Sequence, residues 1–433
     1  MKKAAFYTLG CKVNQYETEA MTELFTENGY EIVDFESYAD VYIINTCTVT
    51  NMSDRKSRQI IRRAKKINPD AVVVVTGCYA QTAPESVSGI AGVNLVIGTK
   101  DRKNIVELVE GVDFESSVCM VGDIMKTHTF EELSVKTYRD RTRAYIKIQE
   151  GCNQFCSYCI IPYARGPVRS RPFDEVICET KRLADEGFAE VVLTGIHVAS
   201  YGADTGDCDL ASLINEVNKI DGIKRIRLSS IEPMTLNTEF VDKIRDCDKL
   251  CRHFHISLQS GCDETLKRMN RKYTCEQYEK IVSGLRNNYP DVAITTDIMV
   301  GFAGETDEEF QKTLEFAEKI SFADAHIFQY SQRKGTPAAK RPDQVAPEIK
   351  EKRSKEIAKV TEKSKKEFLN RFVGQTLEVL FEQPSHGRQG YFEGKTDNYI
   401  TVTVPTDENL SGQFRQVLLE KVNGDGIDGR LVG

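Results

Sequence analysis

The sequence contains no long hydrophobic run. Its longest apolar stretches, residues 41–44 and 71–75, are strand-sized and far shorter than the ~18 consecutive apolar residues that a membrane span needs. The first residues, two lysines and a short apolar stretch before Cys11, resemble a signal peptide, but polar residues follow at once. We therefore interpret the start as a first strand and expect a cytoplasmic protein with no membrane partner.

The charge balance excludes a protein that coats nucleic acid through bulk charge. The 433 residues include 58 Lys and Arg against 65 Asp and Glu, a net charge of −7, which still leaves room for a local basic surface. The 13 cysteines are an odd number in a large chain, which favours metal or thiol chemistry over a disulfide scaffold.

Several common catalytic motifs are also absent. The six histidines are not spaced for pairing with Asp or Ser, and the sequence has neither a P-loop nor a dinucleotide-binding glycine fingerprint. His253 and His255 alternate along a predicted strand, and we expect them to face opposite sides. The cysteines are therefore the first candidates for chemistry.

The pattern of strands and helices predicts an α/β protein of three domains. Residues 1–113 alternate short β-rich runs with helical segments, which predicts an open parallel sheet flanked by helices. A linker over 114–143 leads to six β-α repeats over 144–345, which favour a partial (β/α)6 barrel. A charged helical linker over 346–371 precedes residues 372–433, whose short strands predict a small β-barrel.

The predicted strands carry the β-branched and apolar residues typical of buried sheets. Those at 41–45 and 71–76 are continuously apolar, as expected for strands that are covered on both faces. The strands of the first sheet are expected at 4–9, 41–45, 71–76 and 94–97. The strands of the barrel are expected at 144–149, 190–194, 225–229, 253–258, 292–300 and 325–330.

Cys152, Cys156 and Cys159 form a Cys-x3-Cys-x2-Cys motif directly after the first barrel strand. Three thiolates on one tight loop can hold three irons of a cubane cluster and leave the fourth iron open, whereas fully ligated clusters use a fourth cysteine. The carboxyl end of a barrel strand is also where barrel active sites lie. The alternatives are a zinc knuckle, which normally has four ligands, and three unrelated thiols.

Cys11, Cys47 and Cys78 form a second group. Each follows a small or polar residue just past the end of a predicted parallel strand. In an open α/β sheet such positions gather at one edge, where ligands bind. Three independent buried cysteines that pack as small apolar residues are the alternative.

The Cys-x3-Cys-x2-Cys motif, with the aromatic Tyr158 before its last cysteine, resembles the radical S-adenosylmethionine (SAM) superfamily. The resemblance implies that the open iron chelates the amino and carboxylate groups of SAM, and that one electron then releases a 5′-deoxyadenosyl radical. It also implies a SAM pocket at the strand ends. The residues expected there are Tyr158, Thr194, Gly195, Ser229, Glu232, Gln259, Asp297 and Gly301.

The three domains together resemble the methylthiotransferase family over essentially the whole chain. This resemblance implies that Cys11, Cys47 and Cys78 hold an auxiliary [4Fe-4S] cluster and Cys152, Cys156 and Cys159 the radical SAM [4Fe-4S] cluster. It implies that the tail is an RNA-binding TRAM domain. Residues 8–17 are similar to the branch that acts on N6-threonylcarbamoyladenosine in tRNA.

The implied reaction replaces C2–H of N6-threonylcarbamoyladenosine-37 by C2–SCH3, with two SAM molecules consumed in each turnover. Its expected partners are the tRNA anticodon stem-loop and a reductant protein of the flavodoxin or ferredoxin type. One alternative substrate is isopentenyladenosine-37 of tRNA, and another is an aspartate of a ribosomal protein. A non-catalytic iron–sulfur redox or RNA-binding protein is the alternative of another class.

Basic segments are expected to contact the substrate. The arginines directly after the Cys-x3-Cys-x2-Cys loop are suited to bind a SAM carboxylate or an RNA phosphate. A solvated basic loop is the alternative. The helix expected at 53–67 is strongly basic, and residues 350–371 hold nine Lys or Arg against four Glu. The tail, residues 372–433, holds five Lys or Arg against nine Asp or Glu. The expected substrate or RNA contacts are Asn14, Arg62, Arg63, Arg165, Arg169, Arg171, Arg333 and Lys395.

Overall fold

The computed structural model describes residues 1–112, 117–135 and 142–432. A six-stranded parallel sheet comes first, an open barrel of six parallel strands follows, and a closed five-stranded barrel ends the chain. This architecture confirms the fold class predicted from the sequence. Among the described helices, none is both long enough and apolar enough to cross a membrane.

The described residues form 18 strands and 13 α-helices. The strands are β1 Lys3–Thr8, β2 Glu31–Val33, β3 Val41–Thr46, β4 Val72–Gly77, β5 Leu95–Ile97, β6 Val118–Met120, β7 Ala144–Glu150, β8 Arg169–Ser170, β9 Glu190–Gly195, β10 Arg225–Leu228, β11 His253–His255, β12 Ala293–Val300, β13 Asp324–Gln329, β14 Thr376–Pro384, β15 Tyr391–Lys395, β16 Thr401–Pro405, β17 Phe414–Asn423 and β18 Gly426–Leu431. The helices are α1 Lys12–Glu27, α2 Asn51–Ile67, α3 Cys78–Thr82, α4 Pro84–Ser88, α5 Ile105–Glu110, α6 Ile161–Arg165, α7 Phe173–Asp185, α8 Leu210–Asn218, α9 Thr238–Ile244, α10 Asp263–Arg268, α11 Cys275–Asn288, α12 Asp307–Ile320 and α13 Pro347–Asn370.

The N-terminal sheet has the strand order β2-β1-β3-β4-β5-β6, and every pair is parallel. All residues of β3 and β4 are buried, because α1 and α5 pack on one face of the sheet and α2 on the other. The strands β2 and β6 were not predicted, since each has only three residues and too short a pattern. With β6 the sheet continues past residue 113 into the expected linker, of which residues 114–116 and 136–141 lie outside the described residues.

The central barrel consists of two sheets, β10-β9-β7-β8 and β11-β12-β13. They meet through the isolated parallel bridges Ile226–Leu250 and Ile231–Ile256. The six parallel strands β7 and β9 to β13 therefore follow one another in chain order, while β8 is a short antiparallel edge strand. The N-terminal domain packs against this barrel through α1, whose Tyr16 joins the barrel core.

The C-terminal barrel has the strand order β14-β15-β16-β18-β17. The strand β18 was not predicted, because two of its six residues are glycines, which are depleted in strands. Phe368 and Leu369 at the end of α13 pack into the core of this barrel. The helix α13 therefore connects the second and third domains directly.

Much of the positive charge of α13 is used in ion pairs. Arg353 is buried and lies 2.8 Å from Glu305. Lys365 lies 3.1 Å from Asp324 and 2.8 Å from Asp425. The basic residues of this segment thus hold the helix in place, in addition to the substrate contact expected from the sequence.

A fully buried ion network joins the N-terminal domain to the barrel. Glu17 of α1 lies 2.5 Å from both Arg102 and Arg165. Lys147 of β7 lies 3.1 Å from Glu17 and 2.8 Å from Glu150, which also pairs with Arg165 at 2.6 Å. Because a buried charge is costly without a partner, these five side chains fix α1, β7 and α6 relative to one another.

The substitution Glu17→Gln removes one carboxylate from the ion network. We expect the free energy of unfolding to fall by about 3–5 kcal/mol, because Arg102 and Arg165 keep their buried charge but lose a partner. Urea unfolding followed by circular dichroism measures this change. The control Glu276→Gln breaks an exposed pair with Lys280 and should cost under about 1 kcal/mol. A loss no larger than that of the control would contradict the role of the network.

The contribution of Glu17 should depend on pH. Burial raises the pKa of Glu17, but Arg102, Arg165 and Lys147 outweigh burial and lower the pKa to about 2 from its ordinary 4.5. Its stabilising effect is therefore complete above the ordinary value and is lost as the pH falls towards about 2. We expect the stability difference between wild type and Glu17→Gln to be constant from about pH 7 to 5 and to shrink at about pH 3.5. A constant difference down to that pH would contradict the lowered pKa.

Candidate active site

Three cysteines lie at one edge of the N-terminal sheet. The neighbouring strands β1, β3 and β4 end side by side, and Cys11, Cys47 and Cys78 follow within three residues. Cys11 directly precedes α1, and Cys78 is the first residue of α3. Cys47 and Cys78 are buried, whereas Cys11 is exposed. The structure thus brings the three thiols, here called the first triad, to the edge where open α/β sheets bind ligands.

Two glycines that precede cysteines are required by the backbone. Gly77 has a φ of +92°, and a Cβ atom there would lie 2.4 Å from Asn45 Oδ1. Gly151 has a φ of +76°, and its Cβ would lie 1.8 Å from the carbonyl oxygen of Pro167. No other residue fits either position without moving its neighbours. The Gly-Cys pattern in the sequence therefore marks tight turns that present the thiols.

Cys152, Cys156 and Cys159, here called the second triad, lie on the loop between β7 and α6. Ser157 holds this loop from two sides. Its N–H donates to the carbonyl oxygen of Met269 at 2.9 Å, and its carbonyl accepts from the N–H of Ala338 at 2.8 Å. The loop is therefore fixed at the carboxyl end of the first barrel strand.

The donor sets of both triads fit iron–sulfur clusters better than single metal ions. Three thiolates can hold three irons of a cubane and leave the fourth iron open, whereas structural zinc sites normally have four ligands. The three-cysteine donor sets therefore disfavour the zinc knuckle. Burial raises the pKa of Cys152 to about 11 and the pKa values of Cys78 and Cys159 to about 12. A bound cation would lower these values and give the thiolates.

One arginine contacts a sulfur of each triad. Arg165 Nε donates to Cys78 Sγ at 3.2 Å, and Arg271 Nη1 donates to Cys156 Sγ at 3.3 Å. A guanidinium beside a sulfur favours the thiolate form. Arg271 also pairs with Glu232 at 2.8 Å. Arg271 was not predicted from the sequence, because it lies 115 residues from Cys156 and outside any recognised motif.

Most of the residues expected to bind SAM line two cavities, of which the smaller is bordered by Cys159 of the second triad. The smaller cavity, of about 240 Å³, is lined by residues that include Tyr158, Cys159, Gln259 and Asp297. The larger cavity, of about 840 Å³, is lined by residues that include Thr194, Gly195, Ser229 and Asp297. Two expected residues line neither of them: Glu232 pairs with Arg271, and Gly301 donates its N–H to Glu305 at 2.5 Å.

The larger cavity, here called the central cavity, lies between the three domains. Cys11 of the first triad borders it from the N-terminal domain. Thr194 and Asp297 border it from the barrel strand ends, and Tyr399 borders it from the turn between β15 and β16. A ligand in this space would therefore contact all three domains.

Three histidines, His253, His255 and His326, line the central cavity. The expectation that His253 and His255 face opposite sides is wrong, because residues two apart on a strand share a face. Both imidazoles lie within hydrogen-bond distance of Thr295 Oγ1, at 2.9 and 3.0 Å. His255 Nε2 also lies 3.2 Å from Asp297 Oδ2. This pair was not predicted from the sequence, since its members come from different strands.

Tyr399 is the contribution of the C-terminal domain to the central cavity. It has a left-handed φ of 71°, and its ring stacks on His253 with 4.7 Å between centroids and 12° between planes. Burial raises the pKa of Tyr399, but Arg143, Lys12 and Lys395 outweigh burial and lower the pKa below its ordinary value. Positive charge therefore surrounds this part of the wall.

The three arginines that follow the loop of the second triad are not free to bind substrate. Arg165 has no exposed area and belongs to the ion network. Arg169 is 2% exposed and donates to the carbonyl oxygens of Arg165 and Pro167, both at 3.0 Å. Arg171 is buried and pairs with Glu179. The expectation of contacts to SAM or phosphate is therefore wrong for all three, and so is the alternative of a solvated loop.

Two further expected contacts, Asn14 and Arg333, are also buried. Asn14 is 1% exposed and donates to the carbonyl oxygens of Leu9 and Thr46 at 2.7 and 3.1 Å. Arg333 of the barrel pairs with Asp54 of α2 at 2.7 Å. Neither side chain can reach an RNA, so these expectations are wrong. Both instead hold the segments that carry Cys11 and Cys47.

The remaining expected RNA contacts differ in their exposure. Arg62 and Arg63 lie on the exposed face of α2, where Arg63 pairs with Glu36 at 2.5 Å. Lys395 is half-buried between the C-terminal barrel and the central barrel, and it donates to Thr401 Oγ1 at 2.6 Å. Their contact with RNA stays a prediction.

Three family models match successive parts of the chain. The uncharacterized protein family UPF0004 matches residues 3–98, the Radical SAM superfamily matches 146–317, and the TRAM domain matches 370–432. The order of these matches is the order of the three sheet systems in the fold.

Similarity to known proteins extends over the whole chain. A Bacillus subtilis protein named threonylcarbamoyladenosine tRNA methylthiotransferase MtaB is 45% identical, covering 100% of this chain and 97% of that protein. An Acetivibrio thermocellus protein named tRNA-2-methylthio-N(6)-dimethylallyladenosine synthase is 38% identical, covering 98% of this chain and 90% of that protein. Both are thus related to this chain in all three domains.

A solved structure shares the fold at low identity. The radical S-adenosylmethionine methyltransferase TsrM from Kitasatospora setae, with cobalamin and a [4Fe-4S] cluster bound, has a TM-score of 0.58 at 18% identity. The match covers 78% of this chain and 77% of that chain, and it supports the fold alone. From its full-length relatives, the chain belongs to the family of radical SAM tRNA methylthiotransferases.

Proposed function

We propose that this protein converts C2–H of N6-threonylcarbamoyladenosine-37, beside the tRNA anticodon, into C2–SCH3. The observation that carries the proposal is the central cavity, which Cys11 of the first triad borders on one side. Thr194, Ser229 and Asp297 at the barrel strand ends border the same space on another side. The full-length relative named for threonylcarbamoyladenosine supports this choice of substrate.

Each triad would hold one [4Fe-4S] cluster with an open iron. Cys11, Cys47 and Cys78 would bind the auxiliary cluster, and Cys152, Cys156 and Cys159 the radical SAM cluster. With SAM bound, these groups would supply the methyl group, the sulfur and the radical that a C2–H bond requires. No acidic or basic side chain can remove a hydrogen from that carbon. The residues of this chain would therefore bind the cofactors and the substrate, orient them and shield them from solvent.

Several side chains are suited to these tasks. Arg165 and Arg271 would each stabilise one thiolate, since both already contact a sulfur. Ser229 Oγ is buried and has no hydrogen-bond partner among the described residues, so it suits a hydroxyl of the SAM ribose. Tyr158 and Gln259 border the smaller cavity beside Cys159, where the rest of SAM would bind.

The anticodon stem-loop would bind across the TRAM domain and the basic face of α2. The exposed cations of that face are suited to phosphate contacts. They are Arg55, Lys56, Arg62, Arg63 and Lys66. A reductant protein of the flavodoxin or ferredoxin type would supply electrons, and the enzyme would act in the cytoplasm, where its substrate is found.

Iron counting tests the two-cluster assignment. We expect about eight irons per chain after anaerobic reconstitution, and about four when Cys152, Cys156 and Cys159 are all replaced by Ala, because the first triad keeps its own cubane. The exposed thiol variant Cys178→Ala is the control and should keep the full iron content. Iron near zero in the triple variant would contradict independent clusters.

Nucleoside analysis of tRNA tests the reaction and its substrate. In cells without this gene we expect the methylthio form of threonylcarbamoyladenosine to disappear and its precursor to accumulate, since only the last step is lost. Mass spectrometry of digested tRNA measures both species, and a plasmid copy of wild type, but not of Cys156→Ala, should restore the product. Loss of the methylthio-isopentenyl species instead would refute the proposed substrate and keep the reaction. No change in any tRNA nucleoside would contradict the proposal.

A further inference from the structure

Lys12 is a cation of the central cavity for which the protein supplies no anionic partner. It is the first residue of α1, and it lines the cavity beside Cys11. Its ammonium nitrogen lies 5.9 Å from the ring centroid of Tyr145. Among the described residues, no carboxylate lies within ion-pair distance of it, and none accepts a hydrogen bond from it.

The nearby carboxylates are already used by other groups. Glu190 accepts from Arg227 at 2.9 Å, and Glu382 lies 2.9 Å from Arg143. Glu393, near Lys395, accepts from Gln383 at 2.8 Å. Lys395, which faces the Tyr399 ring at 4.7 Å, donates to a hydroxyl instead. Four cations thus lie near Tyr399, and in the described part of the chain only the two arginines among them are paired with these carboxylates. The four are Lys12, Arg143, Arg227 and Lys395. A partly buried excess of positive charge favours an anionic ligand.

The same wall contains two stacked rings. The ring of Tyr399 and the imidazole of His253 are stacked with their planes 12° apart. Both residues line the central cavity together with Lys12. Arg227 and Lys395 each lie 4.7 Å from the centroid of the Tyr399 ring. The cavity therefore combines a positively charged wall with an unpaired cation.

We propose that Lys12 binds the carboxylate of the threonylcarbamoyl group and thereby selects this substrate. The inference rests on the proposed function, since it concerns the same cavity and the same nucleoside. The threonine moiety adds a carboxylate to the base, whereas an isopentenyl group is uncharged and apolar. Lys12 lies at the amino end of α1, where the helix dipole also favours a negative group. Its role is specificity, with no part in bond breaking.

Binding of two RNAs that differ only at the modified base tests this inference. Reconstituted holoenzyme is titrated with anticodon stem-loops that carry either threonylcarbamoyladenosine or plain adenosine. We expect Lys12→Met to weaken binding of the modified RNA by about 10–100-fold, as for loss of a charge-assisted hydrogen bond, and binding of the plain RNA by under about 2-fold. Lys12→Arg keeps the charge and should retain most of the preference.

Two controls separate recognition from general effects. Lys66→Met removes an exposed cation of α2 and should weaken both RNAs by the same factor. Iron content and the visible spectrum of Lys12→Met should equal those of wild type, because Lys12 is not expected to hold the neighbouring cluster. In turnover, the KM of the modified RNA should rise while kcat changes little.

The possible failures are distinguishable. If wild type methylthiolates the modified RNA but Lys12→Met weakens both RNAs equally, binds both as wild type does, or loses iron, the inference is overturned and the proposed function stands. If wild type neither prefers nor methylthiolates the modified RNA, the proposed function fails and the inference fails with it.

Discussion

The position of the two cysteine triads depends on one buried guanidinium. Arg165 lies on α6, directly after the loop of the second triad, and it contacts Cys78 Sγ of the first triad at 3.2 Å. It also pairs with Glu17 of α1, the helix that starts beside Cys11. A protein in which such buried ion pairs are replaced by apolar residues of similar volume is often equally stable. We infer that the charges serve geometry, because in the proposed function a radical made at one triad would have to reach the carbon presented to the other.

The acidic composition of the tail also has a structural reason. A domain that binds RNA is expected to be basic, yet this one carries five Lys or Arg against nine acidic residues. Two of those acids face arginines of the central barrel, with Glu378 3.2 Å from Arg225 and Glu382 2.9 Å from Arg143. The tail thus neutralises the barrel at their interface and places Tyr399 in the cavity. The composition of the tail therefore reflects its contact with the central barrel as well as its expected contact with RNA.

The sequence predicted most of the fold because long elements carry strong periodic patterns, and it failed where elements are short. The missed strands β2, β6, β8 and β18 have two to six residues, and the missed helices α3, α6 and α10 have five or six. For the site, local motifs identified both cysteine groups. Partners from distant segments were not predictable: Arg165 and Glu17 are separated by 148 residues, and His255 and Asp297 lie on different strands.

Burial separates cations that look alike in sequence. Arg165 and Arg169 follow a loop rich in polar residues, so their charge suggested contact with solvent or phosphate, but their buried partners come from other segments. Arg62 lies in an equally basic run and remains exposed, because its helix has an apolar stripe facing the sheet and its charges facing away. A helical period thus predicts which charges stay outside, whereas an irregular loop carries no such period. The buried partners of the loops after strands were therefore the part of the candidate site that the sequence predicted least, although local motifs identified the cysteines on those loops.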